Sequence, residues 1–339
     1  MASPQTQIQI PAAQQVLQMA TGFMMARCVY YAAKLGIADL LATGAKSAEQ
    51  LAAATETHPD ALYRTLRALA MAGVFIETEP KVFALTPLAE TLRRDAPDSI
   101  RAMVLFLGDH IHASVYENMD YSLRTGQRAF DHVFGQAPFE YITSHPEDAA
   151  IFNEAMASHS AAQIPAIVDA YDYGQFGSIA DIGGGHGHLL AGILRRYPGP
   201  KGILFDLPPT IEQAKVKALP PAGRCEYVSG SFFEEIPAAD AYMLKHIIHD
   251  WDDEPALRIL SACRRSISEN GKLLVMEMIL PGMNEPGFPK LLDIEMLLIP
   301  GGRERTVQEF EALFAKAGFE LTGVIPTHSP VAVIEASPV

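Results

Sequence analysis

The chain is poor in cysteine and in positive charge, and each deficit excludes a class of protein. Its 339 residues include three scattered cysteines, Cys28, Cys225 and Cys263, with no CxxC pair. Neither a disulfide scaffold nor a zinc site is therefore expected, which suits a reducing compartment. The formal net charge is −14, from 26 Lys and Arg against 40 Asp and Glu. Because nucleic-acid binding needs a concentrated positive surface, no nucleic-acid partner is expected.

The chain also lacks the segments that direct or anchor a protein to a membrane. It has no uninterrupted apolar run of the roughly 18 residues that a spanning helix needs. Residues 1–13 carry neither the positive charge nor the apolar run of a secretory signal. We therefore expect a cytoplasmic protein with no membrane partner. Its length favours two domains, at about 150 residues per domain.

Residues 1–100 are predicted to form a winged-helix domain. Apolar residues at helical spacing predict helices over 14–41, broken at Gly36, and over 60–71. Ser47-Ala48-Glu49-Gln50 is a capping-box pattern that starts a short helix between them. Two β-like runs, 74–76 and 82–85, predict the hairpin that forms the wing, in a domain that is otherwise all-helical.

The wing domain carries too little positive charge to read DNA. Residues 1–100 contain eight Lys and Arg against nine Asp and Glu, a balance of −1. A DNA-binding helix normally presents a basic face, and the second helix offers only Arg64 and Arg67. Protein–protein contact is the better interpretation of this domain, although a winged-helix regulator remains an alternative.

From about residue 174 short apolar runs alternate with helical segments. This alternation is typical of βαβ units and predicts a Rossmann-like α/β domain over 174–339 with a mostly parallel seven-stranded sheet. The intervening segment, 101–173, is helical and rich in aromatic residues, and is predicted to bridge the domains and line a pocket. The predicted strands are 178–181, 202–206, 226–229, 241–245, 273–278, 321–324 and 331–334.

The strongest motif runs from the first predicted strand into a helix. Gly183, Gly185 and Gly187 form a GxGxG turn, and Asp181 precedes it. Glycine lets a ligand approach the backbone, and a helix N-terminus offers free N–H groups. His188 stands where a dinucleotide fingerprint needs glycine. The carboxylate of Asp181 would repel a pyrophosphate but suits the positively charged amino end of S-adenosylmethionine (SAM), although a glycine turn without a ligand remains an alternative.

Two further positions fit the same interpretation. Asp206 ends the second strand, 19 residues after Gly187, where an acidic side chain can hold the ribose hydroxyls of an adenosyl group. His249 lies between the fourth strand and the next helix, at the sheet edge where open α/β folds bind ligands. Histidine titrates near neutral pH, so His249 is a candidate general base.

Several stretches together resemble one enzyme family, the plant-type small-molecule O-methyltransferases. This family includes caffeic acid and flavonoid O-methyltransferases and bacterial polyketide and phenazine relatives, and as an ordered set the stretches cover most of the chain. The matching stretches are Phe152-Asn153-Glu154-Ala155-Met156, Asp181 to Gly187, Gly230-Ser231-Phe232-Phe233, His249-Asp250-Trp251 and Gly301-Gly302-Arg303-Glu304-Arg305-Thr306.

The resemblance implies an intertwined homodimer through the N-terminal domain. It also implies that His249 is the general base and that Glu277 and Glu304 flank it. Lys245 and the 230–233 turn, with Ser231 and Phe232, are implied to hold the adenine. The family usually has an acid where this chain has Ser231, whose hydroxyl can bond the adenine amine only without charge assistance.

The expected function is SAM-dependent methylation of a hydroxyl on a small aromatic or polyketide-type molecule, yielding S-adenosylhomocysteine. A phenol, with a pKa near 10, suits a histidine base better than an alcohol does. A SAM-binding relative that uses the pocket for non-methylating chemistry is the alternative. No metal site is predicted. Candidate substrate-pocket residues are Met103, Phe106, Met156, Asp250 and Met296.

Overall fold

The computed structural model describes Ile10–Val339, which divide into two compact units. The first unit comprises the described residues up to Ala113 together with Ala150–Ser158. The second comprises Ser114–Ala149 and His159–Val339, so the segment 101–173 contributes to both. Within the described range, no helix is long and apolar enough to cross a membrane.

The first unit is a set of short amphipathic helices around an apolar core that includes Leu51 and Phe83. Gly36, with φ of 67°, separates two helices as predicted. Ser47 and Gln50 form the predicted capping box, because the Gln50 N–H donates to Ser47 Oγ at 3.2 Å and the Ser47 N–H donates to Gln50 Oε1 at 2.8 Å. The helices are α1 (Ala12–Ala20), α2 (Gly22–Lys34), α3 (Ile37–Leu41), α4 (Ala48–Thr55), α5 (Pro59–Met71), α6 (Pro87–Glu90) and α7 (Arg101–Leu107).

The predicted wing is present in the first unit. Strands β2 (Phe75–Glu79) and β3 (Val82–Leu85) pair antiparallel, and β1 (Lys46–Ser47) adds to the outer side of β3. The expectation of an all-helical domain therefore needs one correction, since the hairpin recruits the residues before α4 into a three-stranded sheet.

A seven-stranded sheet forms the centre of the second unit, and a strand lies at each of the seven predicted positions. The order is β6-β5-β4-β7-β8-β10-β9, with parallel pairing from β6 to β8 and antiparallel pairing of β10 with both neighbours. The strands are β4 (Ser178–Ile182), β5 (Lys201–Asp206), β6 (Cys225–Ser229), β7 (Ala239–Lys245), β8 (Ile267–Glu277), β9 (Phe319–Pro326) and β10 (Ala332–Pro338).

Helices cover both faces of this sheet, which explains why its central strands β4 and β7 are mostly apolar. Along β7, Tyr242 belongs to one buried cluster and the adjacent Met243 to the other, as side-chain alternation requires. The remaining helices are α8 (His110–Glu117), α9 (Met119–Thr125), α10 (Ala129–Phe134), α11 (Pro138–Ser144), α12 (Pro146–Ala170), α13 (His188–Arg196), α14 (Pro208–Lys217), α15 (Asp253–Ser266), α16 (Pro289–Leu298) and α17 (Val307–Lys316).

The topology brings the predicted site residues to one edge of the sheet. From β4 the chain passes to β5 and β6 on one side, and then crosses to β7 and β8 on the other. Such a reversal opens a crevice at the carboxyl ends of the strands, where ligands bind in open α/β sheets. The strands β4, β5, β7 and β8 end here at Ile182, Asp206, Lys245 and Glu277.

Candidate active site

The glycine turn after β4 exposes its backbone. Gly183, Gly185 and Gly187 have φ of 68°, 59° and 82°, a region that other residues rarely adopt. A Cβ added to Gly183 would lie 2.6 Å from Ile247 Cδ1, so a side chain there would collide with the residues that follow β7. Helix α13 begins directly after the turn and directs its free N–H groups towards it.

Asp206 binds the same turn from the end of β5. Its Oδ2 accepts a hydrogen bond from the Gly185 N–H at 2.8 Å, and its Oδ1 accepts one from the Leu207 N–H at 2.7 Å. Each carboxylate oxygen has further acceptor capacity. The structure thus fixes the carboxylate beside the glycine turn and leaves it able to accept hydrogen bonds from hydroxyl groups.

Asp181 lies beneath the turn and is almost completely buried. Its Oδ2 is shielded from solvent and has no hydrogen-bond partner among the described residues. Burial raises the pKa of Asp181 to about 7, an effect that Lys245 opposes and Asp206 reinforces. An unpaired buried oxygen is costly, so this position favours a ligand that brings a donor or a positive charge.

The structure assigns different local contacts to the residues expected near the adenine. Phe232 Cε1 lies 3.6 Å from the position of a Cβ on Gly183, so this ring is next to the glycine turn. Ser231 Oγ accepts a hydrogen bond from the Phe233 N–H at 3.3 Å within its own turn. Lys245 Nζ donates to Ser160 Oγ at 2.8 Å, and burial lowers the pKa of Lys245 to about 8.

His249 is buried between three carboxylates. It belongs to a short 3₁₀ turn, Ile248–Asp250, that follows β7. Its Nδ1 lies 2.7 Å from Glu304 Oε1 and 3.8 Å from Glu277 Oε2, while its Nε2 lies 3.5 Å from Asp250 Oδ1. The structure therefore brings together the four residues that the sequence separates by up to 55 positions.

Glu277 and Glu304 contact His249 in different ways. Glu277, the last residue of β8, accepts hydrogen bonds at Oε1 from the Ile248 N–H at 2.8 Å and the His249 N–H at 3.1 Å. It therefore holds the backbone of the turn, whereas Glu304 contacts the imidazole directly. Burial raises the pKa of Glu277 to about 7, although the nearby His249 opposes that rise.

The carboxylates make His249 a stronger base than an ordinary histidine. Burial alone lowers the pKa of His249, but Glu277, Asp250 and Glu304 outweigh it and raise the pKa to about 10. The Glu304 contact also directs the Nδ1 proton away from the cleft, which leaves Nε2 as the nitrogen available to a ligand.

The same three residues resemble a metal-ligand set. Ligand atoms of His249, Glu277 and Glu304 lie within 4.8 Å of one another. However, two ligands of one tetrahedral ion at about 2.0–2.1 Å are separated by about 3.3 Å. The 2.7 Å between His249 Nδ1 and Glu304 Oε1 is instead the length of a charge-assisted hydrogen bond.

Sequence reasoning missed the residues that hold this cluster in place. Arg305 is buried, and its guanidinium donates to the carbonyl oxygens of Ile248 and Trp251. Gly302 packs so closely on the turn that an added Cβ would lie 1.9 Å from the His249 carbonyl oxygen. Both belong to the 301–306 stretch, in which the family resemblance implies a role for Glu304 alone.

The predicted substrate-pocket residues fall in both units. Met103, Phe106 and Met156 belong to the first unit, where the Phe106 ring packs edge-on against His112. Met296 belongs to the second, and its carbonyl oxygen accepts hydrogen bonds from the Gly301 and Gly302 N–H groups. That these residues line a substrate pocket stays a prediction.

Comparison with known proteins identifies the family. Residues 116–320 match the O-methyltransferase domain, and residues 17–95 match the O-methyltransferase dimerisation domain. The chain is 45% identical to the phenazine O-methyltransferase PhzM of Lysobacter antibioticus, with 97% of both chains covered. The chain belongs to the O-methyltransferase family. Family membership confirms the resemblance read from the sequence and makes this protein a SAM-dependent methyltransferase that acts on oxygen or nitrogen of small metabolites.

Two further relatives show the range of the family. The structure of NcsB1, an O-methyltransferase from neocarzinostatin biosynthesis in complex with SAM and 2-hydroxy-5-methyl naphthoic acid, is 31% identical, with 93% of this chain and 96% of that chain covered and a TM-score of 0.80. The phenazine-1-carboxylate N-methyltransferase of Pseudomonas aeruginosa is 31% identical, with 93% and 94% covered. The dimerisation-domain match is typical of a homodimer.

Proposed function

We propose that this protein methylates a phenolic hydroxyl of a small aromatic or polyketide-type metabolite, with His249 as the general base. The observation that carries the proposal is the 2.7 Å contact between His249 Nδ1 and Glu304 Oε1, which orients the imidazole and strengthens it as a base. Relatives that are named for phenazine and naphthoic acid ligands support an aromatic acceptor.

The residues at the carboxyl ends of β4 and β5 fit SAM. The unpaired Oδ2 of Asp181 suits a cationic ligand, and the carboxylate of Asp206 suits the two ribose hydroxyls. The turn 183–187 accepts close contact along its backbone, with Phe232 beside it. We assign the adenine end to Ser231 and Phe232, which follow β6, and to Lys245, which ends β7.

Methyl transfer from SAM requires the protein to position the acceptor hydroxyl and to remove its proton. When bound, SAM supplies a methyl group already activated by the sulfonium. The protein would then have to hold the acceptor oxygen facing that methyl group, and such positioning can contribute roughly 7–11 kcal/mol. His249 Nε2 accepts the hydroxyl proton, and Glu304 stabilises the resulting imidazolium through Nδ1. Asp250, 3.5 Å from the same Nε2, contacts the acceptor side of the imidazole.

The acidity of the acceptor and the basicity of His249 are matched. Carboxylates raise the pKa of His249 to about 10, although burial opposes the rise. A phenol has an ordinary pKa near 10. A proton shared between two groups of similar pKa moves with little cost in free energy, whereas an aliphatic alcohol would hold its proton. A phenolic acceptor therefore fits this site better than an alcohol.

The proposal is tested by replacing the base. His249→Ala should lower turnover by roughly 10²-fold or more, because a positioned base typically contributes ~10²–10⁴-fold. SAM affinity, measured by calorimetry, should stay nearly unchanged. The assay incubates methyl-labelled SAM with a panel of phenols and aromatic amines and detects the product by mass spectrometry.

The same assay decides between the alternatives. Near-full activity in His249→Ala would mean that methyl transfer proceeds by proximity alone. A wild-type protein that binds SAM but methylates neither phenols nor aromatic amines would instead favour the non-methylating alternative. A panel that yields only N-methylated products would assign the chain to the chemistry for which its Pseudomonas relative is named.

A further inference from the structure

Most backbone polar groups of the turn that carries His249 are hydrogen-bonded to residues outside it. Its N–H groups at Ile248 and His249 donate to Glu277 Oε1. Its His249 carbonyl accepts from the Arg303 N–H at 2.9 Å. Arg305 contacts the carbonyl oxygens of Ile248 and of Trp251, which follows the turn, with Nη1 3.1 Å from Ile248 O and Nη2 2.9 Å from Trp251 O. The catalytic turn is therefore held on one side by Glu277 and on the other by residues 303–305.

Arg305 is unusual because its guanidinium lies in the interior of the protein. Only 1% of the residue is exposed, and arginines are rarely buried so completely without a partner. Its Nη2 also contacts Asp253 Oδ1 at 2.9 Å, at the start of α15. A guanidinium has five donors in a rigid fork, so it can bind three acceptors at once, which a lysine ammonium cannot do with the same geometry.

Neighbouring residues in the chain thus hold His249 from two directions. Glu304 contacts the imidazole at Nδ1, and Arg305 contacts the carbonyls on either side of His249 and Asp250. The Arg305 carbonyl is fixed in turn, because it accepts the Leu280 N–H at 3.0 Å beyond β8. The distance between His249 and Glu304 therefore depends on how the whole segment 303–305 is held.

We propose that Arg305 is a positioning residue for methyl transfer, which sets the place of the His249 imidazole relative to Glu304 and the acceptor oxygen. The inference rests on the proposed function, in which His249 is the base. Its physical basis is the steep dependence of catalysis on position, since a displacement of about 1 Å can cost about 10²-fold in rate.

The test is Arg305→Lys, which keeps the charge and removes the fork. Turnover should fall by about tenfold or more, while the KM for SAM stays within about twofold. The acidic limb of the pH profile of kcat/KM should move to lower pH, because a loosened Glu304 contact no longer supports the protonated imidazole. A residue needed only for folding would not move that limb.

Arg224→Lys is the matched control. Arg224 also clamps backbone carbonyls in the second unit, those of Leu194, Tyr197 and Pro200 at 2.6–2.7 Å. It precedes β6 and so lies at the opposite edge of the sheet from the site. Its replacement should lower the melting temperature, while the pH profile keeps its wild-type limb.

The outcomes separate the inference from the proposed function. If His249→Ala abolishes turnover but Arg305→Lys behaves like Arg224→Lys, the inference is overturned and the proposed function stands. If His249→Ala keeps full turnover, His249 is not the base. Both the proposed function and the inference that rests on it are then overturned. Should Arg305→Lys not fold, Asp253→Ala decides, because it frees one edge of the guanidinium at a half-exposed position. Asp253→Ala should also lower turnover, by a smaller factor than is expected for Arg305→Lys. Unchanged turnover would overturn the inference.

Discussion

Glu304→Gln gives the most direct test of the catalytic cluster. The substitution preserves the size of the side chain and removes the charge that lies 2.7 Å from His249 Nδ1. A hydrogen bond to a charged group contributes about 1.5–3 kcal/mol. Since 1.36 kcal/mol corresponds to a tenfold change in a proton-binding constant, the pKa of His249 should fall by about 1–2.

The sign of the effect depends on the pH at which the enzyme is assayed. Only neutral imidazole accepts a proton, so kcat/KM of the wild type should rise with pH towards the raised pKa of about 10. In Glu304→Gln this rise should end at a pH lower by about 1–2. The plateau should also be lower, because a glutamine can present its NH₂ to Nδ1 and hold the wrong tautomer. A comparison at one pH would mix these opposing effects.

The assay is therefore a full pH profile of kcat/KM with a phenolic acceptor whose own pKa is known. Glu269→Gln is the control, because Glu269 is exposed near the other end of β8 and its loss changes the net charge equally. The control should keep the wild-type profile. An acidic limb that stays in place in Glu304→Gln would refute the reasoning, since the titrating group would then not be the histidine that Glu304 contacts.

Three other expectations follow from the geometry. Asp206→Ala should weaken SAM binding by about 1–3 kcal/mol in calorimetry, through lost charge-assisted hydrogen bonds, and an unchanged affinity would remove Asp206 from the site. The protein should be a homodimer built mainly from residues 1–100, because α1 buries none of its residues and exposes Leu17 and Met19. Light scattering should find a dimer at micromolar concentration, and the double variant Leu17→Glu, Met19→Glu should shift it towards monomer. Asp181→Asn should raise the melting temperature of the SAM-free protein at pH 8, because burial raises the pKa of Asp181 to about 7 and the ionised carboxylate then destabilises the fold. That gain should shrink towards pH 5, where wild-type Asp181 is protonated, and a lower melting temperature at pH 8 would contradict the argument.

Local pattern was enough to predict most of the architecture. The alternation of apolar runs and helical segments predicted the positions of all seven strands. The signal is clearest in the central strands, because β4 and β7 bury both faces under helices. The capping box at Ser47 and the break at Gly36 depend on residues within four positions, so they too were visible in the sequence. The small sheet in the first unit was underestimated, since β1 has only two residues and its partners in β3 lie 35 and 37 positions further along the chain (82 − 47 and 83 − 46).

In the candidate site, too, the features set by local sequence could be predicted and those set by tertiary packing could not. The positions of the turn 183–187 and of Asp206 at the end of β5 could be predicted from the sequence, because glycine positions and a strand-end carboxylate follow from spacing in one βαβ unit. That they bind SAM stays a prediction. Sequence alone did not show that Asp181 keeps an unpaired oxygen or that Lys245 binds Ser160, since both depend on packing around the strands. Likewise Arg305 could not be told from a surface arginine until the chain brought it behind the His249 turn. The sequence determines which chemical groups are available and the strands that carry them, whereas burial and the distances between groups remote in the chain arise only when the sheet edge is assembled. The raised basicity of His249 is such a property, because carboxylates from three separate segments must converge on one imidazole to produce it.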